Sequence, residues 1–218
     1  METKIYITDI NLLENEKIYI KEYNKLSFFR RQKADKLKTS ISKKQSVCAG
    51  MLLRYALNNL GINEKNISYN LNEFGKPYLA GENIFFNISH SDRIVMCAVS
   101  DIEIGCDVEK MREVNLKIAD KFFDDKEKEF VEQFSNAEKK KEAFFEIWTK
   151  KESFLKCSGK GINIPLKSFS VTENPICCFG ETFYLESIAL NNMYKSALCV
   201  KGEKRNFEII EVEFDEYK

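Results

Sequence analysis

The stretch IVMCAVSDIEIGCDVE, residues 94–109, decides the fold because it holds two apolar strands and the turn between them. The first strand, residues 94–100, is a continuous apolar run typical of a buried strand. The second strand, residues 102–109, is also apolar but contains acidic residues at intervals. Asp101 lies between them at a tight turn. The two halves of the chain therefore meet near residue 100.

The patterns on either side of this stretch follow one plan, in which helices accompany a small, mostly antiparallel sheet. They predict an α+β fold of two similar lobes, with residues 1–100 in the N-terminal lobe and residues 101–218 in the C-terminal lobe. No residue-level repeat accompanies this likeness. Strand or helix patterns lie at residues 3–9, 30–38, 42–60, 67–72, 84–88, 115–123, 125–134, 139–157 and 168–172, with further strands after them.

Composition excludes several classes of protein. The 34 basic and 34 acidic residues cancel, so the whole-chain charge indicates no nucleic-acid partner. The first residues lack a signal-peptide pattern, and the longest clean apolar run, residues 94–99, is far shorter than the ~20 residues of a membrane span. The 7 Cys form no Cys-x-x-Cys pair and lie mostly in apolar stretches. We therefore expect a cytoplasmic monomer without a disulfide framework or a membrane contact.

Basic residues are concentrated between residues 25 and 54, where Asp35 is the one acid. A solvated helical face, a phosphate site and a nucleic-acid surface are three interpretations. Few aromatic residues interleave with the charges, which disfavours nucleic acid. The basic residues are Lys25, Arg30, Arg31, Lys33, Lys36, Lys38, Lys43, Lys44 and Arg54.

The stretch FNISHS, residues 86–91, holds the single His of the chain. An imidazole beside a hydroxyl suits phosphate oxygens, so Ser89 and His90 are candidate phosphate contacts. A structural His is the alternative. A Ser–His hydrolase is disfavoured because there is no Gly-x-Ser-x-Gly elbow and neighbouring strand residues point to opposite faces.

Two carboxylates, Asp107 and Glu109, stand two residues apart on the second strand and so share one face. Like charges held together in an apolar strand are costly unless a cation neutralises them. Oxygen ligands favour a hard ion such as Mg²⁺. An edge strand with ordinary solvent-facing acids is the alternative.

A helical stretch near residue 150 places Trp148, Glu152 and Lys156 on one face, because they recur every four residues. An ordinary surface Glu–Lys pair is one interpretation. The Trp on the same stripe argues that the face is partly buried, which makes Glu152 a candidate acid/base group or a third metal ligand.

Taken together, these clusters resemble the surfactin-type 4′-phosphopantetheinyl transferases. That family carries a Gly-x-Asp-x-Glu strand and, about 40 residues later, a Trp-x-x-Lys-Glu-Ser/Ala-x-x-Lys helix. The resemblance extends from about residue 30 to about residue 172. The matching segments, in the family's order and spacing, are residues 74–77 (FGKP), 86–91 (FNISHS), 105–109 (GCDVE), 148–156 (WTKKESFLK), 159–161 (GKG) and 168–171 (SFSV).

The resemblance implies a pseudo-two-fold pair of α+β lobes with coenzyme A in the cleft between them. It implies transfer of the phosphopantetheine arm of coenzyme A to a serine of an acyl or peptidyl carrier protein, with 3′,5′-ADP released. Mg²⁺, or alternatively Mn²⁺, would be held by Asp107, Glu109 and Glu152. Glu152 and Lys156 would act in the chemistry. Coenzyme A would be contacted by Arg30, Lys33, Lys76, Ser89, His90, Asp107 and Lys156.

Two positions depart from the family pattern. Gln45 stands where the family has an arginine near the 3′-phosphate, for which Lys43 or Lys44 could substitute, and Cys106 replaces the usual β-branched or Ala residue, for which we expect only a packing effect. Two other functions remain open. A Mg²⁺-dependent nucleotide phosphotransferase or hydrolase could use the same carboxylates. A non-catalytic adaptor could bind an acidic partner through residues 25–54, although it would leave the carboxylates unexplained.

Overall fold

The computed structural model describes residues 2–214 and has a mixed α+β architecture. The strands are β1 Thr3–Asp9, β2 Tyr69–Leu71, β3 Pro77–Leu79, β4 Phe85–Ser91, β5 Ile94–Ser100, β6 Ile104–Lys110, β7 Ile176–Cys178, β8 Glu181–Ile188, β9 Tyr194–Lys201 and β10 Phe207–Glu211. The α-helices are α1 Glu16–Lys25, α2 Phe28–Asp35, α3 Ser40–Asn58, α4 Ala119–Phe122, α5 Asp125–Glu132 and α6 Ala137–Ser158. Among these residues, no helix is both long and apolar enough to cross a bilayer.

Two four-stranded sheets organise the fold. The first has the strand order β10-β1-β5-β4, in which β1 is parallel to β10 and antiparallel to β5. The second has the order β6-β9-β8-β7 and is antiparallel throughout. A small hairpin, β2–β3, stands apart from both sheets. In these orders β4 and β6 are edge strands, and side chains of β4 bond to the backbone of β6.

The core lies in three layers because the strands alternate their side chains. Val95 and Cys97 of β5 face α3 on the outside of the first sheet. Met96 and Ala98 point the other way and pack in the core shared by the two sheets, which also holds Cys106 of β6. The second sheet packs its outer face on α6. Strand β5 is thus buried on both faces, as the continuous apolar pattern of residues 94–100 predicts.

Helix α6 approaches β6 closely at Gly105. A Cβ added there would stand 2.1 Å from the carbonyl oxygen of Ser153 and 2.3 Å from the amide nitrogen of Cys157. Only glycine allows this approach, because both atoms belong to the helix backbone. The approach brings the part of α6 that carries Glu152 and Lys156 next to the carboxylates of β6.

Several predicted boundaries need correction. The strand predicted at 84–88 runs to Ser91, so Ser89, His90 and Ser91 are strand residues. The prediction of a strand at 168–172 is wrong: a 3-10 turn, Leu166–Ser168, occupies its start, and the following backbone makes no ladder. Strand β10 joins the first sheet although it is last in sequence. The division into lobes at residue 100 stays a prediction.

Candidate functional site

A polar cleft of about 330 Å³ lies where β4, β6 and α6 meet. It is lined by Ile88, Ser89, His90, Asp107, Glu109, Trp148, Glu152 and Lys156. A larger cavity of about 870 Å³ lies beside β1 and residues 211–214, and its described lining includes none of the predicted site residues. The smaller cleft is therefore the candidate site, because the residues singled out from three separate motifs converge there.

Asp107 is the centre of the hydrogen-bond network in this cleft. Its Oδ1 accepts a bond from Ser89 Oγ at 2.8 Å and from Lys156 Nζ at 2.6 Å. Ser89 Oγ in turn accepts from Lys156 Nζ at 2.9 Å and from the amide of Val108 at 3.3 Å. The carboxylate, the hydroxyl and the ammonium therefore hold one another in fixed positions.

The electrostatics of the cleft follow from burial and from the close packing of like charges. Burial raises the pKa of Glu152, and the charges of Asp107 and Glu109 raise it further. Burial and the charge of Asp107 likewise raise the pKa of Glu109. Burial alone would lower the pKa of Lys156, but its neighbours, with Asp107 the strongest and Glu152 among them, together outweigh burial and raise the pKa. A cation added to this site would relieve the mutual repulsion of the carboxylates.

The carboxylates fit a hard divalent cation in their chemistry. Within the described chain, no three His, Cys, Asp or Glu side chains are already arranged to hold a metal ion. However, Asp107 Oδ2 is buried and has no hydrogen-bond partner among the described residues. A buried carboxylate oxygen without a partner is costly, and Glu109 and Glu152 line the same cleft. Oxygen donors of this kind are typical of Mg²⁺ and Mn²⁺ sites.

Two cations lie around His90. His90 is exposed, but desolvation by the surrounding chain lowers its pKa, and the charges of Lys156 and Lys33 lower it further. Lys33 is exposed as well, and desolvation lowers its pKa with contributions from Arg30 and Lys156. Arg30 is only 3% exposed, and its Nε and Nη2 atoms have no hydrogen-bond partner among the described residues. This grouping of positive charge favours an anion, although Arg30 and Lys33 lie outside the described lining of the cleft.

Two of the positions discussed above form hydrogen bonds within the protein. The Lys76 ammonium donates to the carbonyls of Ile104 and Cys157, at 3.1 Å each, so much of its bonding capacity is used inside the protein. Gln45 donates through Nε2 to the carbonyl of Asp92 at 2.8 Å, in the turn between β4 and β5. A contact between Lys76 and a phosphate of coenzyme A remains a prediction. Gln45 stabilises the turn between β4 and β5.

Part of the basic cluster of residues 25–54 is neutralised by neighbouring acids. Lys25 and Arg54 both pair with the buried carboxylate of Glu22. Lys44 pairs with Glu14 at 2.6 Å. These pairs disfavour the interpretation of the whole cluster as a docking surface for an acidic partner.

Sequence reasoning missed the buried pair between Lys151 and Glu127, although Lys151 adjoins Glu152. Both side chains are 0% exposed, and Lys151 Nζ lies 2.7 Å from Glu127 Oε1. The same ammonium donates to the carbonyls of Leu166 and Phe169 at 2.8 Å each. No sequence pattern links these residues, which α5, α6 and the loop after α6 bring together.

The comparisons with known proteins match the part of the chain that carries β6 and α6. The family model described as the 4′-phosphopantetheinyl transferase superfamily matches residues 103–196, which include β6 and α6. The chain is 42% identical over 132 residues to the 4′-phosphopantetheinyl transferase gsp of Aneurinibacillus migulanus, covering 60% of this chain and 54% of the relative. It is 32% identical over 191 residues to the 4′-phosphopantetheinyl transferase psf-1 of Bacillus pumilus, covering 81% and 79%.

A third relative is the 4′-phosphopantetheinyl transferase Sfp of Bacillus subtilis (strain 168). The identity is 30% over 164 residues, covering 71% of this chain and 72% of the relative. The extent of the match varies between relatives: the chain spans only about half the length of the gsp protein, but more than two thirds of Sfp and psf-1.

Proposed function

Because the chain belongs to the 4′-phosphopantetheinyl transferase superfamily, we propose that it transfers the phosphopantetheine arm of coenzyme A to a serine of an acyl or peptidyl carrier protein. The observation that carries the proposal is the cleft in which Asp107, Glu109, Glu152 and Lys156 converge. Three carboxylates and an ammonium suit a displacement at phosphorus, which depends on neutralising charge more than on covalent help.

The reaction exchanges one bond at phosphorus for another. The serine oxygen of the carrier bonds to the phosphorus that bears the pantetheine group, and the bond to the bridging oxygen breaks, so that 3′,5′-ADP leaves. Glu152 accepts the serine proton, a role consistent with its raised pKa. Lys156 lies opposite Asp107 and stabilises the negative charge that develops on the leaving phosphate.

The remaining proposed roles are binding of a divalent cation by the carboxylates and binding of the coenzyme A phosphates by the basic residues. Asp107, Glu109 and Glu152 would hold Mg²⁺ or Mn²⁺, which supplies charge neutralisation at the pyrophosphate when it is bound. His90, Lys33 and Arg30 would contact the phosphates of coenzyme A, with Ser89 and Lys76 beside them. A cytoplasmic location, a monomeric state and the absence of membrane and nucleic-acid partners complete the proposal.

The test separates transfer from hydrolysis, the second function that the carboxylates would allow. Coenzyme A labelled in its pantetheine arm is incubated with the chain, Mg²⁺ and a panel of apo carrier proteins. Label on the carrier supports the proposal, whereas label released into water, with or without a carrier, favours a hydrolase. Glu152→Gln should weaken Mg²⁺ binding, because it removes one proposed ligand, and should lose most of the transfer rate even at saturating Mg²⁺. Full turnover by that variant would contradict the role of Glu152 as the base.

A further inference from the structure

The edges of the two sheets are joined by a regular ladder of side chains. Every second residue of β4 accepts a hydrogen bond from every second backbone N–H of β6. Asn87 Oδ1 accepts from Cys106 at 2.8 Å, and the serine hydroxyls continue the series. Ser89 accepts from Val108 at 3.3 Å, and Ser91 accepts from Lys110 at 3.0 Å. The ladder satisfies N–H groups that an edge strand would otherwise bury without partners.

The two serines of the ladder have a second role that Asn87 lacks. Ser89 Oγ donates to Asp107 Oδ1, and Ser91 Oγ donates to Glu109 Oε2 at 2.9 Å. Each serine is thus anchored on the backbone of β6 through its acceptor capacity and directs its one proton to a carboxylate of the same strand. The spacing repeats, since each serine lies 18 residues before its carboxylate.

We propose that Ser91 is a positioning residue that orients the Glu109 carboxylate for a divalent cation. Glu109 is on a strand at the mouth of the cleft and is only partly buried, so packing alone does not fix its carboxylate. The hydrogen bond from Ser91 selects one orientation and occupies Oε2. Partners that hold metal-binding carboxylates in this way commonly change metal affinity 10–100-fold when they are removed.

The inference rests on the proposed function for the part that the cation plays in the reaction. It does not rest on it for cation binding itself, which can be measured without a carrier protein. Mn²⁺ is titrated into the full chain, alone and with saturating coenzyme A, and bound Mn²⁺ is followed by electron paramagnetic resonance. Ser91→Ala should weaken Mn²⁺ binding about tenfold. Ser91→Thr keeps the hydroxyl and should restore affinity to within about threefold of the wild type.

Asn87→Ala is the matched control, because Asn87 serves the β6 backbone as Ser91 does but touches no described carboxylate. Its Mn²⁺ affinity should stay within about threefold of the wild type. If Ser91→Ala does not fold, the Mn²⁺ affinities of Ser91→Thr and Ser91→Val are compared instead. The two side chains have nearly the same volume, and only Thr keeps the hydroxyl, so Ser91→Val should bind Mn²⁺ more weakly.

The outcomes separate this inference from the proposed function. Unchanged Mn²⁺ affinity in folded Ser91→Ala, or equal weakening in Asn87→Ala, would overturn the positioning role even if the transfer reaction proceeds. Failure of every carrier to accept label, with Mn²⁺ affinity depending on Ser91 as described, would overturn the transfer and leave the positioning role supported. Where a carrier accepts label, Ser91→Ala should raise the Mg²⁺ concentration that gives the half-maximal transfer rate. It should change kcat little at saturating Mg²⁺.

Discussion

At the scale of single residues, Gly105 sets the distance between β6, which carries Asp107 and Glu109, and the helix that carries Glu152. We predict that Gly105→Ala costs about 2–3 kcal/mol of unfolding free energy, because the new methyl group meets rigid backbone atoms of α6. It should also lower the transfer rate further than this loss explains, since α6 must move away from β6. Gly50→Ala is the control, because there the added Cβ meets a flexible Leu26 side chain. Equal effects of the two variants in urea unfolding would contradict the prediction.

His90 gives a pH dependence at the same scale. Its pKa is lowered in the folded chain by desolvation and by the charges of Lys156 and Lys33, so the unfolded chain binds the proton more readily below about pH 6.5. The contribution of neutral His90 to stability is therefore present above about pH 6.5 and is lost as the pH falls from there through the lowered pKa of the folded chain. Urea unfolding across this range should show the wild type losing stability relative to His90→Gln. Parallel curves for the two proteins would show that the lowered pKa is absent.

At the scale of elements, the buried ammonium of Lys151 ties α6 to α5 and to the loop after α6. All three of its donor positions are used, by Glu127 and by the carbonyls of Leu166 and Phe169. Lys151→Met should lower the unfolding free energy by about 3–5 kcal/mol, because it leaves the Glu127 carboxylate buried without its partner. The neighbouring Lys150→Met, which breaks a partly exposed pair with Glu146, should cost no more than about 0.5 kcal/mol. Similar losses of unfolding free energy for Lys151→Met and Lys150→Met in chemical denaturation would contradict this role of Lys151.

The helices and strands that could be predicted from the sequence are those with a strong local pattern of apolar and polar residues. The continuous apolar run of β5 and the spacing of Trp148, Glu152 and Lys156 on α6 follow from short-range periodicity. The end of β4 was missed because Ser89, His90 and Ser91 are polar, and they belong to the strand through their backbone pairing with β5, which no local pattern shows. Likewise, the Lys151–Glu127 pair joins residues that only the tertiary fold brings together, and no local pattern encodes such a contact.

At the scale of the whole molecule, the β2–β3 hairpin holds the end of α6. Asn72 Nδ2 donates to the carbonyl of Gly159 at 2.8 Å, and the Lys76 ammonium donates to Cys157 and Ile104. Lys76→Met should therefore cost about 1.5–3 kcal/mol of stability, the range for hydrogen bonds from a charged group. Lys126→Met, which removes an exposed pair with Glu173, is the control. A Lys76→Met protein of full stability that binds coenzyme A weakly would instead assign Lys76 to the phosphates.

The intact mass of an apo carrier protein shows whether the cleft between β4, β6 and α6 transfers phosphopantetheine. The carrier is incubated with the chain, coenzyme A and Mg²⁺. We expect the carrier to gain the mass of one phosphopantetheine group, and we expect EDTA or Asp107→Ala to abolish the gain. Contradiction would come from a panel of acyl and peptidyl carriers whose masses stay unchanged, or from a gain that persists in the Asp107→Ala protein.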